Sequence, residues 1–130
     1  MAIGSVLLLE DDPIIRDMVE AILSDDGHSV RVCGSFAQLL DVAAMTPHAV
    51  ALADFWGMSH QTLSGDERGQ VERLARTVPT ILVTGRGWAT DEAAHELGAL
   101  AVVPKPCDVD HLSDLVTSSL TQIRAGGAAI

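Results

Sequence analysis

The sequence has no tyrosine and only two phenylalanines and two tryptophans among its 130 residues, an aromatic fraction of 3%. Any core it builds must be packed from Leu, Val, Ile and Ala, and a hydrophobic content of 48% is enough for that. Positive charge is scarce too. Eight Lys and Arg face eighteen Asp and Glu, a formal net charge of −10. A surface of that sign repels phosphate backbones and anionic lipid, which argues against direct nucleic-acid or membrane binding by the bare domain and for partners that are basic, neutral or apolar. Cysteine is limited to Cys33 and Cys107, far apart and with no metal-ligand spacing, so two reduced thiols of a cytoplasmic protein are expected. The opening MAIGSVLLLEDD holds an apolar run of about five residues and no basic segment before it, so neither a signal peptide nor a membrane span is expected.

What is present is a fivefold alternation of short apolar runs with helix-length amphipathic stretches, the pattern of β/α units around a parallel sheet. Ser5 to Leu9 is the first strand. Asp12 then sits where a helix N-cap belongs and Pro13 at the first helical position, with Ile15, Val19, Ile22 and Leu23 on one face and Gly27 as the C-cap. Ser29 to Cys33 is the second strand; Ser35 and Gln38 have the form of a capping box opening a helix through Phe36, Leu39, Leu40 and Ala43. His48 to Ala53 is the third, running into Asp54, with a loop FWGMSHQTLSG and a helix around Asp66 to Arg76. Pro79 to Val83 leads to Thr84, and Thr90 caps a fourth helix that Gly98 ends. Leu100 to Val103 leads to Pro104 and Lys105, and Asp108 caps a last helix carrying Leu112, Leu115, Val116 and Leu120. One domain over residues 1–124 is expected, with a frayed Gly-rich tail over 125–130. The five histidines share no spacing and are expected at the surface or at strand ends.

Four of the five strands end on residues a buried strand would not choose: Glu10 and Asp11, Asp54, Thr84, and Lys105. In open parallel sheets, ligands sit beyond the carboxyl ends of the strands where the strand order reverses. With order 2-1-3-4-5, the first and third strands meet there, which gathers Glu10, Asp11 and Asp54 in one crevice. Carboxylates at that distance repel by several kcal/mol, and a cation resolves the conflict. Oxygen ligands suit Mg²⁺ or Mn²⁺ rather than zinc. Lys105 and Thr84 add an ammonium and a hydroxyl, so the set suits a bound phosphoryl group.

These residues resemble the receiver domains of response regulators in two-component signalling, in the acidic pair of LLLEDD, the lone Asp of ALADF, the Thr of ILVTG and the Lys of VVPKP. The spacings, 43 residues from Asp11 to Asp54, 30 to Thr84 and 21 to Lys105, are also similar to the family's. The resemblance implies a doubly wound, flavodoxin-like or CheY-like (βα)5 α/β fold. It further implies that Asp54 is the phosphoacceptor for a kinase phosphohistidine. By the same resemblance Asp11 binds Mg²⁺ directly, Glu10 binds through a water, the Trp56 backbone carbonyl completes the metal shell, and Thr84 and Lys105 hold phosphoryl oxygens. Glu10 and Asp11 alone would equally suit a solvated strand end; the set as a whole favours a site. Asp12 is assigned to capping.

The sequence also departs from the family pattern. Val102 stands where members usually carry Tyr or Phe, and no Met-Pro and Gly signature follows Asp54. With VTGRG after the fourth strand, these features resemble single-domain receivers with TGY-like loops, except that Arg86 replaces the Tyr. Trp56 and Arg86 occupy positions that in the family influence access of hydrolytic water, and Trp88 is a candidate reporter of the loop after Thr84. The implied partners are a sensor histidine kinase or phosphotransfer protein and a downstream protein, with a possible homodimer through the fourth helix, fifth strand and fifth helix, roughly residues 88 to 120. The chain would act alone or as a piece of a larger regulator or hybrid kinase. Two other classes remain: a pseudo-receiver that keeps the fold without phosphorylation, and an Mg²⁺-dependent phosphatase, which Trp56 opposes by standing where a second acid would be needed.

Overall fold

The structure of the chain, a computed structural model, describes residues 4–10, 12–46, 49–54, 65–84, 95–104 and 109–128. Strand and helix alternate as β1 (Ser5–Leu9), α1 (Pro13–Asp25), β2 (Ser29–Cys33), α2 (Phe36–Met45), β3 (Ala49–Asp54), α3 (Gly65–Thr77), β4 (Thr80–Thr84), β5 (Ala101–Pro104) and a C-terminal helix (Val109–Ala128). The sheet is parallel throughout and ordered β2-β1-β3-β4-β5, as the sequence predicts. All six residues of β3 are buried, as a central strand covered on both faces requires, whereas β2 at the edge leaves Ser29 and Arg31 exposed.

Side chains two apart along each strand share a face, so the core splits into two layers. Leu7, Leu9, Ala51, Ala53 and Leu82 pack with Leu39 of α2 and Leu74 of α3. The alanines of β3 leave room for those two leucines, each fully buried. On the opposite face Val6, Leu8, Val50, Leu52, Ile81 and Val83 pack with Val19 and Leu23 of α1 and with Leu112, Val116 and Leu120 of the C-terminal helix. Burying one such side chain stabilises by about 1.5–3 kcal/mol, so these two aliphatic layers replace the absent aromatics.

The helix starts follow local chemistry. Asp12 Oδ1 accepts the N–H groups of Ile14 at 2.9 Å and Ile15 at 3.3 Å, and Pro13 takes the first turn. At the far end Asp26, rather than Gly27, is the C-cap, and Gly27 follows it at φ 93°. The Ser35 hydroxyl accepts the Gln38 N–H at 3.1 Å, while Gln38 Oε1 reaches back to the Gly34 N–H at 2.6 Å, one residue further than a capping box specifies.

Several boundaries differ from the sequence reading: β3 takes in Asp54, and β4 leaves out Pro79 and takes in Thr84. Strand β5 includes Pro104 and leaves out Leu100, which is 42% exposed. The last helix continues to Ala128, into the segment expected to fray. Of the fourth predicted helix, residues 95–97 are described and are helical; Gly98 stops them at φ 86°, and Thr90 and Asp108 lie outside the described residues. Cys33 is a buried free thiol, and Cys107 lies outside the described residues. Among the described residues no helix is long and apolar enough to cross a membrane.

Candidate functional site

The strand register brings the polar strand ends together. Leu9 pairs with Ala53, so Glu10 and Asp54 follow at the same level on neighbouring strands. Asp54 in turn pairs with Val83, one residue before Thr84, and Thr84 pairs with Pro104, the residue before Lys105. By the two-residue period Glu10 continues the face of Val6 and Leu8, and Asp54 that of Val50 and Leu52. Both acids therefore lie on the side covered by α1 and the C-terminal helix, and both line one cleft there.

Its floor is Leu8, Leu52 and Val83, and its walls are Ile15 and Val19 of α1 and Leu112 of the C-terminal helix. The cleft is narrow, with a cavity volume of about 10 Å³, and is partly open to solvent. Glu10 is 6% and Asp54 2% exposed, and Asp54 Oδ1 is sealed from solvent. Strands lie about 4.8 Å apart, and two carboxylates at that separation repel by about 3 kcal/mol at an effective dielectric near 20. Two acids crowning adjacent buried strands thus form a place where positive charge is stabilised, at the one edge of the sheet where the strand order reverses.

Of the six residues singled out by sequence, the structure brings Glu10 and Asp54 together as side chains. It puts the backbone of Thr84 at the end of the strand next to Asp54. Asp11, Trp56 and Lys105 lie outside the described residues, as do Arg86 and Trp88. Among the described residues no three His, Cys, Asp or Glu side chains converge on a metal-sized site. The donors that are described are carboxylate oxygens, the chemistry that Mg²⁺ and Mn²⁺ prefer. Asp12 faces its helix N-terminus as a cap, separating its role from that of Glu10.

The apolar walls were not singled out by sequence. Ile15, Val19 and Leu112 were legible only as core-facing helix positions, and nothing in their spacing says that the core opens beside an acid pair. Val102, where an aromatic was noted as missing, is partly buried and packs against the layer facing α2 and α3. His28 stands at the start of β2 as expected, yet is 5% exposed; His95 and His111 are exposed, and His48 and His60 lie outside the described residues.

Comparison with known proteins is consistent with this geometry. The family profile for the response regulator receiver domain matches residues 6–117. The nitrogen assimilation regulatory protein NtrX of Azorhizobium caulinodans is 30% identical over 122 residues, covering 92% of this chain and 26% of that protein. The chain thus spans about a quarter of the length of the NtrX-type relatives it matches. A CheY-like receiver domain protein of Methanospirillum hungatei superposes with a TM-score of 0.75 at 22% identity, over 96% of this chain and 99% of the other. The receiver domain of the sensor histidine kinase PA1611 from Pseudomonas aeruginosa, solved with a magnesium ion in its active-site cleft, gives a TM-score of 0.67 at 21% identity over 90% and 97% of the two chains. At these identities the solved structures establish the fold.

Proposed function

Because the chain belongs to the response regulator receiver domain family of two-component signalling, we propose that Asp54 accepts a phosphoryl group from the phosphohistidine of a sensor kinase or phosphotransfer protein. The observation that carries this reading is the burial of Asp54 beside Glu10 at the carboxyl edge of β1 and β3, in one cleft. An Asp54 oxygen attacks the phosphorus in line, the P–N bond to the donor imidazole breaks as the P–O bond forms, and the product is an acyl phosphate. The Thr84 hydroxyl donates to one phosphoryl oxygen and the Lys105 ammonium pairs with another. Mg²⁺ or Mn²⁺, held by Asp11, Asp54 and the Trp56 carbonyl and by Glu10 through water, would neutralise charge on the transferring group. Ile15, Val19 and Leu112 keep bulk water from one side of the acceptor, which strengthens each of these electrostatic contacts.

In this reading the domain modifies only itself and signals through protein contacts on the face formed by residues 88 to 120, which could also dimerise. The added negative charge biases a two-state arrangement of the loop after Thr84. A pseudo-receiver that binds partners without phosphorylation is the second reading, favoured by the aliphatic Val102.

Incubation with acetyl phosphate or phosphoramidate and Mg²⁺, followed by intact mass, separates the cases. One phosphoryl group per chain supports the receiver, no adduct supports the pseudo-receiver, and many turnovers without a lasting adduct support a phosphatase.

A further inference from the structure

At the end of the sheet opposite the acid pair, three elements meet around His28. Its ring is buried, Nδ1 accepts the Gly4 N–H at 3.4 Å, and Nε2 lies 3.4 Å from Thr117 Oγ1 on the C-terminal helix. Two residues earlier Asp26 accepts a hydrogen bond from Ser113, one turn before Thr117 on the same helix. The backbone closes the junction, with the His28 N–H on Leu23 O at 3.1 Å and the Ser29 N–H on Gly4 O at 2.9 Å. Because a backbone N–H can only donate, Nδ1 must be the bare nitrogen, so the ring is neutral and its proton sits on Nε2, directed at Thr117.

We propose that His28 is a pH-sensitive clasp, which in its neutral form ties the start of β1 to the C-terminal helix and on protonation releases the Gly4 end of that tie. An imidazolium carries N–H groups on both nitrogens, so protonation sets donor against donor at Gly4 and puts a charge in a buried position. The charged groups on the elements packed here are Asp25 and Asp26 at the end of α1, Asp110 and Asp114 on the C-terminal helix, and Arg31 on β2. Of these, Asp25, Asp26, Asp114 and Arg31 form no ion pair with the ring among the described residues. Asp25, Asp110, Asp114 and Arg31 are exposed and screened by solvent, and Asp26 is engaged with Ser113, so what protonation changes first is the ring's own contact with the Gly4 N–H. The helix loosened by this event contributes to the face proposed for output, so acidification would act on signalling from the pole opposite Asp54.

The test uses the full chain labelled with ¹⁵N. At about pH 8 the ring nitrogens should report the Nε2–H tautomer, and on acidification the Gly4 amide signal should move and its hydrogen exchange should quicken in step with the ring. Between about pH 8 and pH 5 the native chain should lose more stability than His28→Asn, which keeps an acceptor near Gly4 but takes up no proton. An Nδ1–H tautomer at high pH, a Gly4 amide that ignores the titrating ring, or equal pH dependence of the two proteins would overturn the proposal. If His28→Asn does not fold, the tautomer and the Gly4 amide of the native chain decide it.

Discussion

Replacing Asp12 separates the two duties of the acidic run that closes β1. Its Oδ1 accepts two helix N–H groups, from Ile14 at 2.9 Å and Ile15 at 3.3 Å, and the residue is exposed. Loss of such a cap in Asp12→Ala should cost about 1 kcal/mol, within a range of about 0.5–2. Asp12→Asn keeps an acceptor in the same place and gives up only the attraction between a negative charge and the helix N-terminus, about 0.3–1 kcal/mol. With a urea slope of about 1–3 kcal/mol per molar, the alanine variant should shift the midpoint down by roughly 0.5 M and the asparagine variant by less. The same titrations with saturating Mg²⁺ should raise the midpoints of all three proteins equally, because ligand binding stabilises by its own affinity and Asp12 is not a ligand. An asparagine variant that matches the parent without metal yet loses the Mg²⁺-dependent gain would refute this division of labour.

Other perturbations test the packing and the buried thiol. Gly69 lies within α3, and a Cβ there would meet nothing within 4 Å, so Gly69→Ala should stabilise by about 0.5–1 kcal/mol in urea unfolding. A Cβ on Gly4 would approach Leu120 Cδ2 to 2.7 Å, so Gly4→Ala should cost about 1–3 kcal/mol. Adding Leu120→Ala to it should recover part of that cost in a double-mutant cycle, and strict additivity would contradict the contact. Burial pushes the Cys33 thiol up, with Arg31 opposing, so at neutral pH the group is protonated in both folded and unfolded chains and contributes nothing. As the pH rises past about 8.5 the unfolded chain loses its proton first, so stability should fall there, and the extra loss should vanish in Cys33→Ala. Maleimide labelling of Cys33 in the folded protein should be correspondingly slow.

The sequence shows the fold most clearly where local chemistry punctuates it. The bounds of β1 and β2 read from sequence are those in the structure, because Asp12-Pro13, Gly27 and Ser35 stop and start the chain around short apolar runs. Strand β5 is displaced by one residue because LAVV contains no breaker. Pro104, without an N–H, is tolerated in a strand that lies at the sheet's edge. Continuation of the last helix into Gly126 and Gly127 runs against propensity, since each glycine costs about 1 kcal/mol relative to alanine, and no pattern in the sequence announces it. Glu10 and Asp54 were legible because a carboxylate ending an aliphatic strand has no packing reason to be there. The walls of their cleft were not, since Ile15, Val19 and Leu112 look like any other core-facing helix residues. His28 was legible as a strand-end residue but not as a buried one, because a lone histidine carries no periodicity.

Chemical trapping of the acceptor tests the central claim most directly. After phosphorylation with phosphoramidate and Mg²⁺, borohydride reduces an aspartyl phosphate to homoserine, and peptide mass spectrometry then locates it. The account predicts homoserine at position 54 and none when Mg²⁺ is withheld. A phosphoryl group found on a histidine or on another carboxylate, with Asp54 intact, would contradict it.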